Sequence, residues 1–263
     1  MGDLSAQAAS GPGASVQAPC SQAAFAVIIT AGGSSSRMNG GRPDGGVKKE
    51  YLPLGHGILD NAGKPLTVLG ASLIAFAAFP VIKHIVITVP VEGEPAARGA
   101  IPALLFESPL PKILFVPGGP TRRSSVHHAL ALLAAYHPSY VLIHDGARPW
   151  VDPSLIEAVI DAVQKHNAVV PLLPLLETPK ETDGNGFVKR HLRRANIGAA
   201  QTPQGFAFPE ILRAHDNAAD RELRERFEYT DDAEVWAEFC GPVAVVSGSP
   251  GNRKITFPED LDL

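Results

Sequence analysis

The chain is predicted to be an α/β protein, a doubly wound, mostly parallel sheet with one projecting β-arm, and three observations carry that expectation. Six short apolar runs recur along it: Phe25–Thr30, His84–Val89, Ile113–Val116, Tyr140–His144, Ala168–Leu172 and Val243–Ser247. Parallel strands covered on both faces read this way. Apolar stripes at helical spacing fall between them, and that alternation winds a parallel sheet. One long polar stretch, residues 174–204, breaks the rhythm with turn chemistry at its centre.

Each element follows from its residues in order. Residues 1–23, rich in Ala, Ser and Gly, are expected to form a disordered tail, and residues 24–263 a single domain. The tail has neither a basic start nor a continuous apolar run, so it is not expected to be a secretory signal. Phe25–Thr30 is the first strand, and it feeds the Gly- and Ser-rich turn Gly32–Ser36. Leu66–Phe79 is the longest apolar run; it contains a serine and falls short of the roughly 18 residues that span a bilayer. His84–Val89 and Ile113–Val116 follow as strands. Val126, Leu130 and Leu133 then form one helical stripe, and Leu155, Val159 and Val163 a second beyond the strand Tyr140–His144. The second helix carries a start signal, with Asp152 as N-cap and Pro153 at the first helical position. After Ala168–Leu172 comes Pro174–Gln204, whose central Asp183-Gly184-Asn185-Gly186 reads as the turn of a β-hairpin arm. A plain surface loop is the alternative for that stretch. Val243–Ser247 completes the sheet.

Composition narrows the function. The 263 residues are 45% hydrophobic and 19% charged, with net charge −4, so no basic excess marks a nucleic-acid binder. Cys20 and Cys240 are the only cysteines, which argues against a disulfide framework or a cysteine zinc site and fits a reducing cytoplasm. No membrane partner is expected.

In open α/β sheets ligands bind beyond the carboxyl ends of the strands. Three such ends release small and polar residues here. The first gives Ala31, Gly32 and Gly33, then Ser34–Arg37 and the pair Lys48-Lys49; the third gives "PGGPTRRSSV"; the Tyr140 strand gives "DGARP". All three are expected at one cleft, with an isolated Asp, paired glycines and three arginines together. Backbone N–H groups of a Gly-rich turn suit phosphate. Taken singly, Arg37 and Lys49 read either as phosphate ligands or as surface charges. Asp145 reads as a turn-forming residue or as a Mg²⁺ ligand. His144 is expected to pack or hydrogen-bond at its strand end, His127 and His128 to be structural or exposed, and Lys254 reads as a solvated lysine after a turn that only its place near the last strand singles out.

Six motifs in order, "AGGSSSRM" with "KKEYL", "GGPTRRSSV", "HDGARP", "TPQGF", "YTDDAEV" and "GNRKITFPEDL", resemble those of the cytidylyltransferases that activate 2-C-methyl-D-erythritol 4-phosphate with CTP. The resemblance covers residues 25 to about 260 and implies a Rossmann-like nucleotidyltransferase fold. It implies Arg37 and Lys49 as the catalytic cations, and Ala31, Gly32, Gly33, Gly118, Gly119 and Ser125 as nucleotide-binding residues. Asp145 would be the Mg²⁺ aspartate. Arg148, Thr178, Arg194, Thr202, Thr230 and Lys254 would bind the sugar phosphate or line its pocket. The resemblance further implies a homodimer whose arms reach over the partner's site, with Thr178 and Arg194 acting in trans. Lys49 is preferred over Lys48 because it directly precedes Glu50-Tyr51.

The sequence departs from the family pattern in places. The stretches "NGGRPDGGVK" and "GHGILDNAGKPLTVL" are enlarged, Pro120 offers no N–H, and a final helix is curtailed near Leu263. The implied reaction needs no general base, since a phosphate monoester with a second pKa of about 6 is already ionised at neutral pH. Its difficulty is anion meeting polyanion, which fixed cations relieve. Ribitol 5-phosphate as acceptor is the nearest alternative. "GGPTRRSSV" argues against a sugar-1-phosphate nucleotidyltransferase, and Arg37 with Lys49 argue against a regulator that binds nucleotide without catalysis.

Overall fold

The computed structural model describes residues 23–33, 38, 48–55, 57–225 and 227–262. The expected tail and Arg37 therefore lie outside the described residues, as does most of the first enlarged stretch.

The apolar runs become the strands. β1 (Phe25–Thr30), β2 (Ile82–Val89), β3 (Lys112–Pro117), β4 (Tyr140–Asp145) and β5 (Ala168–Pro174) each contain an expected run. Between them lie α1 (Val68–Ala77), the short α2 (Glu94–Gly99) and α3 (Leu104–Glu107), α4 (Arg122–Leu133) and α5 (Pro153–His166). The chain continues through β6 (Lys180–Thr182), β7 (Val188–His191), β8 (Gly198–Ala200), β9 (Gln204–Ala207), α6 (Glu210–Glu225), α7 (Asp232–Phe239) and β10 (Ala244–Ser247).

The eight-stranded sheet runs β10-β5-β9-β4-β1-β2-β3, with β8 beside β5. β1 pairs in parallel with both β2 and β4, so the strand order reverses around it and opens a crevice at the carboxyl ends of β1 and β4. Alternation along β1 divides the core. Phe25, Val27 and Ile29 join α1 and α5 on one face, whereas Ala26 and Ile28 join α4, α6 and α7 on the other. The expected stripe Val126, Leu130 and Leu133 is fully buried. Each such side chain stabilises the fold by about 1.5–3 kcal/mol.

Two strands of the sheet, β8 and β9, escape the sequence pattern. β9 is antiparallel to both β4 and β5 and sits between them in the sheet. It is four residues long and contains Gly205, where a Cβ would lie 3.0 Å from Val159 and Val169. The glycine that weakens the strand signal is what lets α5 approach closely.

The long insertion divides. β6 and β7 form a separate antiparallel hairpin, whose turn is held by Asp183 Oδ1 accepting from Asn185 and Phe187 N–H at 2.8 and 3.2 Å. Gly184 and Gly186 take φ of +81° and +93°, the left-handed region that favours glycine. The end of the insertion does not stand apart: β8 pairs back onto β5, and Gln204 opens β9.

Candidate active site

The three strand ends do meet. Gly118 N–H donates to Val89 O at 2.7 Å, tying the turn after β3 to the end of β2, and Gly119 N–H donates to Ser125 Oγ at 3.0 Å. Thr121 caps α4 by accepting from Ser124 N–H, and Ser124 Oγ accepts from Thr121 N–H in return. A cavity of about 600 Å³ lies over these turns. Gly32, Gly33, Lys48, Lys49, Gly119, Pro120, Arg122, Ser125, Asp145 and Lys254 are among its lining residues. A second cavity of about 310 Å³, lined by Arg148, Thr202 and Thr230, shares Arg122, Asp145 and Lys254 with the first.

Asp145 is the electrostatic centre. Its Oδ2 lies 2.9 Å from Lys254 Nζ and 3.4 Å from Arg148 Nε, and its Oδ1 lies 3.7 Å from Arg122 Nε. Burial alone would push this carboxyl up, but Lys254, then Arg122 and Arg148, hold it well below the usual carboxylate range. It is therefore ionised at any working pH.

A buried relay fixes this carboxylate's backbone. Asp145 N–H donates to Thr202 Oγ1 at 3.0 Å, Thr202 Oγ1 lies 3.1 Å from His144 Nδ1, and His144 Nε2 lies 3.1 Å from Arg148 O. With the proton on Nε2, the ring accepts from Thr202 and donates to the carbonyl. Burial lowers His144 to about 4, which keeps it in that neutral form. The expectation that His144 packs and bonds at the strand end agrees with this geometry.

The site residues expected from the sequence distribute unevenly. Lys49 is buried, lines the larger cavity and donates through Nζ to Ile255 O at 2.6 Å. Lys48 donates to Gly33 O, with Gly32 O at 3.5 Å, and burial lowers its pKa. Ser125 braces the glycine turn, its Oγ accepting from Gly119 N–H and lying 2.9 Å from Thr121 O. Ala31 is buried, with its N–H bonded to Thr88 O. Thr230 lines the smaller cavity, and its Oγ1 donates to Glu234 Oε2 at 2.8 Å. Thr178 and Arg194 reach neither cavity within the chain; both are exposed, and Arg194 donates to Leu176 O on its own arm.

Two corrections concern the neighbouring arginines. Of the four arginines at these strand ends, Arg122 and Arg148 line the cavities and Arg37 lies outside the described residues, whereas Arg123 turns away and is buried, with Nη1 donating to His215 O at 3.1 Å and Nε 2.6 Å from Glu222. Arg122, which the sequence reading did not single out, stands in the wall shared by both cavities. Adjacent helical residues point about 100° apart. Reading Thr121 as N-cap would have signalled that only one of the pair faces the loop.

Among the described residues no three His, Cys, Asp or Glu side chains converge as a metal cage. Asp145 and Glu50 both line the larger cavity. A carboxylate completed by phosphate oxygens and water is how Mg²⁺ is ordinarily held beside a nucleotide, and this donor set fits that arrangement.

The sequence profile of 2-C-methyl-D-erythritol 4-phosphate cytidylyltransferase, IspD, matches residues 25–263. The chain belongs to this family. It is 35% identical over 238 residues to the bifunctional enzyme IspD/IspF of Mesorhizobium japonicum, covering 90% of this chain and 53% of that protein. With the enzyme of the same name from Solidesulfovibrio magneticus it shares 37% over 236 residues, 89% of this chain and 54% of that one. The chain thus spans about half the length of these curated relatives. Among solved structures it is similar to the 4-diphosphocytidyl-2C-methyl-D-erythritol synthase of Anaerococcus prevotii, with a TM-score of 0.71, 26% identity and coverage of 91% and 93%. For the Francisella tularensis cytidylyltransferase of this family the TM-score is 0.69, with 27% identity and coverage of 90% and 96%. Family members thus share the nucleotidyltransferase fold described above.

Proposed function

We propose that the chain transfers CMP from CTP to 2-C-methyl-D-erythritol 4-phosphate and releases pyrophosphate. The observation that carries this reading is the Asp145 carboxylate ringed by Lys254, Arg148 and Arg122 in the wall between two cavities. A triphosphate in the larger cavity would lie along Gly32, Gly33, Lys48 and Lys49, and the acceptor phosphate in the smaller one would meet Arg148 and Lys254. The acceptor oxygen then attacks the α-phosphorus from the shared wall.

The residues supply charge and position rather than proton transfer. His144 is neutral, buried and engaged at both ring nitrogens, so it is no base, and an ionised phosphate needs none. Arg37, carried from the family motif, and Lys49 would neutralise charge that grows on the leaving pyrophosphate. Mg²⁺, held by Asp145 with the phosphates, would offset repulsion between the two anions. At Gly119 a Cβ would fall 2.2 Å from Ser124 Oγ, so the turn packs on the start of α4 with no room for a side chain.

Pyrophosphate release from CTP and Mg²⁺ tests the reading, with methylerythritol phosphate and ribitol 5-phosphate as rival acceptors. Preference for methylerythritol phosphate is expected. Preference for ribitol phosphate overturns the acceptor, and no release with either overturns the reaction. In the proposed assembly two copies pair through the β6–β7 arm, which brings Thr178 and Arg194 to the partner's acceptor site. The chain is proposed to act in the cytoplasm; among the described residues no helix is long and apolar enough to cross a membrane.

A further inference from the structure

Behind the cleft wall lies a buried carboxylate that the proposed reaction leaves without a role. Asp232, the first residue of α7, is fully buried, and its Oδ2 accepts from Arg122 Nη1 at 2.7 Å. Its Oδ1 faces the equally buried His215 Nε2 at 3.4 Å, and among the described residues neither of those atoms makes a hydrogen bond. A carboxylate in the core with one oxygen unsatisfied is costly to keep. Its effect on Arg122 gives a reason for it.

Arg122 stands between two carboxylates and engages them unequally. Nη1 is in hydrogen-bond contact with Asp232, while Nε stays 3.7 Å from Asp145 Oδ1, beyond hydrogen-bond range. Lys254 and Arg148 both approach the other oxygen, Oδ2. Oδ1 of Asp145 thus meets only the distant guanidinium among these cations. A guanidinium facing one carboxylate alone closes on it as a two-pronged fork. Asp232 opposes that collapse from behind.

We propose that Asp232 is a positioning residue. By anchoring Arg122 Nη1 it keeps the guanidinium off Asp145 Oδ1, leaving that oxygen open to a divalent cation and turning the remaining Arg122 N–H donors toward phosphate. This rests on the cytidylyl-transfer reading for its consequence, but the placement of Arg122 is testable without turnover.

The test is a crystal structure of Asp232→Asn together with Mn²⁺ titrations in the presence of CTP, acceptor omitted, for wild type, Asp232→Asn, Arg122→Ala and the double variant. In the Asn variant Arg122 is expected to move into hydrogen-bond contact with Asp145, and Mn²⁺ binding to weaken about 10–100-fold, as loss of an outer supporting group commonly does. In the Arg122→Ala background the Asn substitution is expected to add nothing, because its effect travels through Arg122. A guanidinium that keeps its present separation from Asp145, or effects that simply add, overturns the proposal. Should Asp232→Asn not fold, nitrogen NMR of the wild type decides: slowed rotation of the Arg122 Nη groups is expected, and free rotation overturns the anchor. Absence of pyrophosphate release by the wild type would instead sink the reaction and leave the Arg122 result to stand by itself.

Discussion

The His144 imidazole is held near 4 by burial, whereas in an unfolded chain it takes up a proton near pH 6.5. Between those values the unfolded state binds more protons, so stability rises with pH across about 4 to 6.5. Thermal unfolding followed from pH 4 to 7 is expected to show Tm climbing through that window. His144→Asn should make the climb shallower, leaving the share of His215 and His84, which burial also lowers. Asp145 acts in a lower window. Its folded carboxyl lies below the unfolded value of about 3.9, so its contribution is complete above that pH and is lost as pH falls further. A Tm that stays level from pH 4 to 6.5 would contradict the buried, neutral histidine. Lys49 belongs to the same scale. Lys49→Ala is expected to lower kcat by about 10²–10³, the usual effect of losing one fixed donor at a developing charge. More than half the wild-type kcat, measured by pyrophosphate release, would remove Lys49 from catalysis and leave Lys48 the better candidate, since its ammonium already meets the Gly32–Gly33 turn.

Among the elements, α4 matters most to the site because its first residue is Arg122. Thr121 supplies both halves of that helix start, capping Ser124 N–H and donating its own N–H to Ser124 Oγ. Thr121→Ala is expected to cost about 1 kcal/mol in urea unfolding and to raise the KM for CTP as the first turn frays. Unchanged stability and unchanged KM together would deny the cap its place in the site. The legibility of the elements varied for local reasons. β1, β4 and β5 carry unbroken apolar runs, Phe25–Ile29, Tyr140–Ile143 and Ala168–Pro174, and β2 a shorter one, Ile85–Ile87, so their burial is written in consecutive residues. Asp152 and Pro153 likewise mark the α5 start in adjacent positions, and Asp152 Oδ1 does accept from Ser154 N–H at 2.7 Å. β9 carries no such mark. Gln204 serves α7 rather than the apolar core, its side chain bonding Asp231 Oδ2 and Ala233 N–H at 2.8 and 3.0 Å.

At the scale of the whole molecule, the C-terminal segment straps the cleft. Ile255 N–H donates to Ala147 O at 2.8 Å, Ile255 O accepts from Lys49, and Gly55 N–H donates to Leu261 O at 2.9 Å. One segment thus ties the turn after β4 to the lysine pair, and Lys254 rides on it into Asp145. At Gly55 a Cβ would lie 2.6 Å from Asp262 Oδ1 and 2.8 Å from Leu261 O. Gly55→Ala is therefore expected to displace the strap and lower turnover by up to about 10²-fold while the sheet persists, since small misplacements of reacting groups carry such losses. Wild-type kcat with that substitution would show that the strap does not position the lysines. The proposed pairing of arms makes a further demand. If Arg194 serves the partner's site, mixing inactive Lys49→Ala with inactive Arg194→Ala subunits should restore activity in hybrid dimers, because one site per hybrid then has both groups intact. No recovery after subunit exchange would place Arg194 outside catalysis or within its own subunit.

By itself the sequence determined where the apolar strands and stripes run, hence the mostly parallel sheet, its crevice and the motifs gathered at the strand ends. Those features depend on the order of neighbouring residues, and hydrophobic burial acts on that order directly. Only the tertiary structure decided that β9 slips antiparallel between β4 and β5, that Arg122 faces the cleft while Arg123 joins Glu222, and that Lys254 meets Asp145. The same holds for Asp232 behind Arg122. Each of these unites groups far apart in the chain, and close packing, rather than any local preference, selects which distant charges and surfaces come into contact.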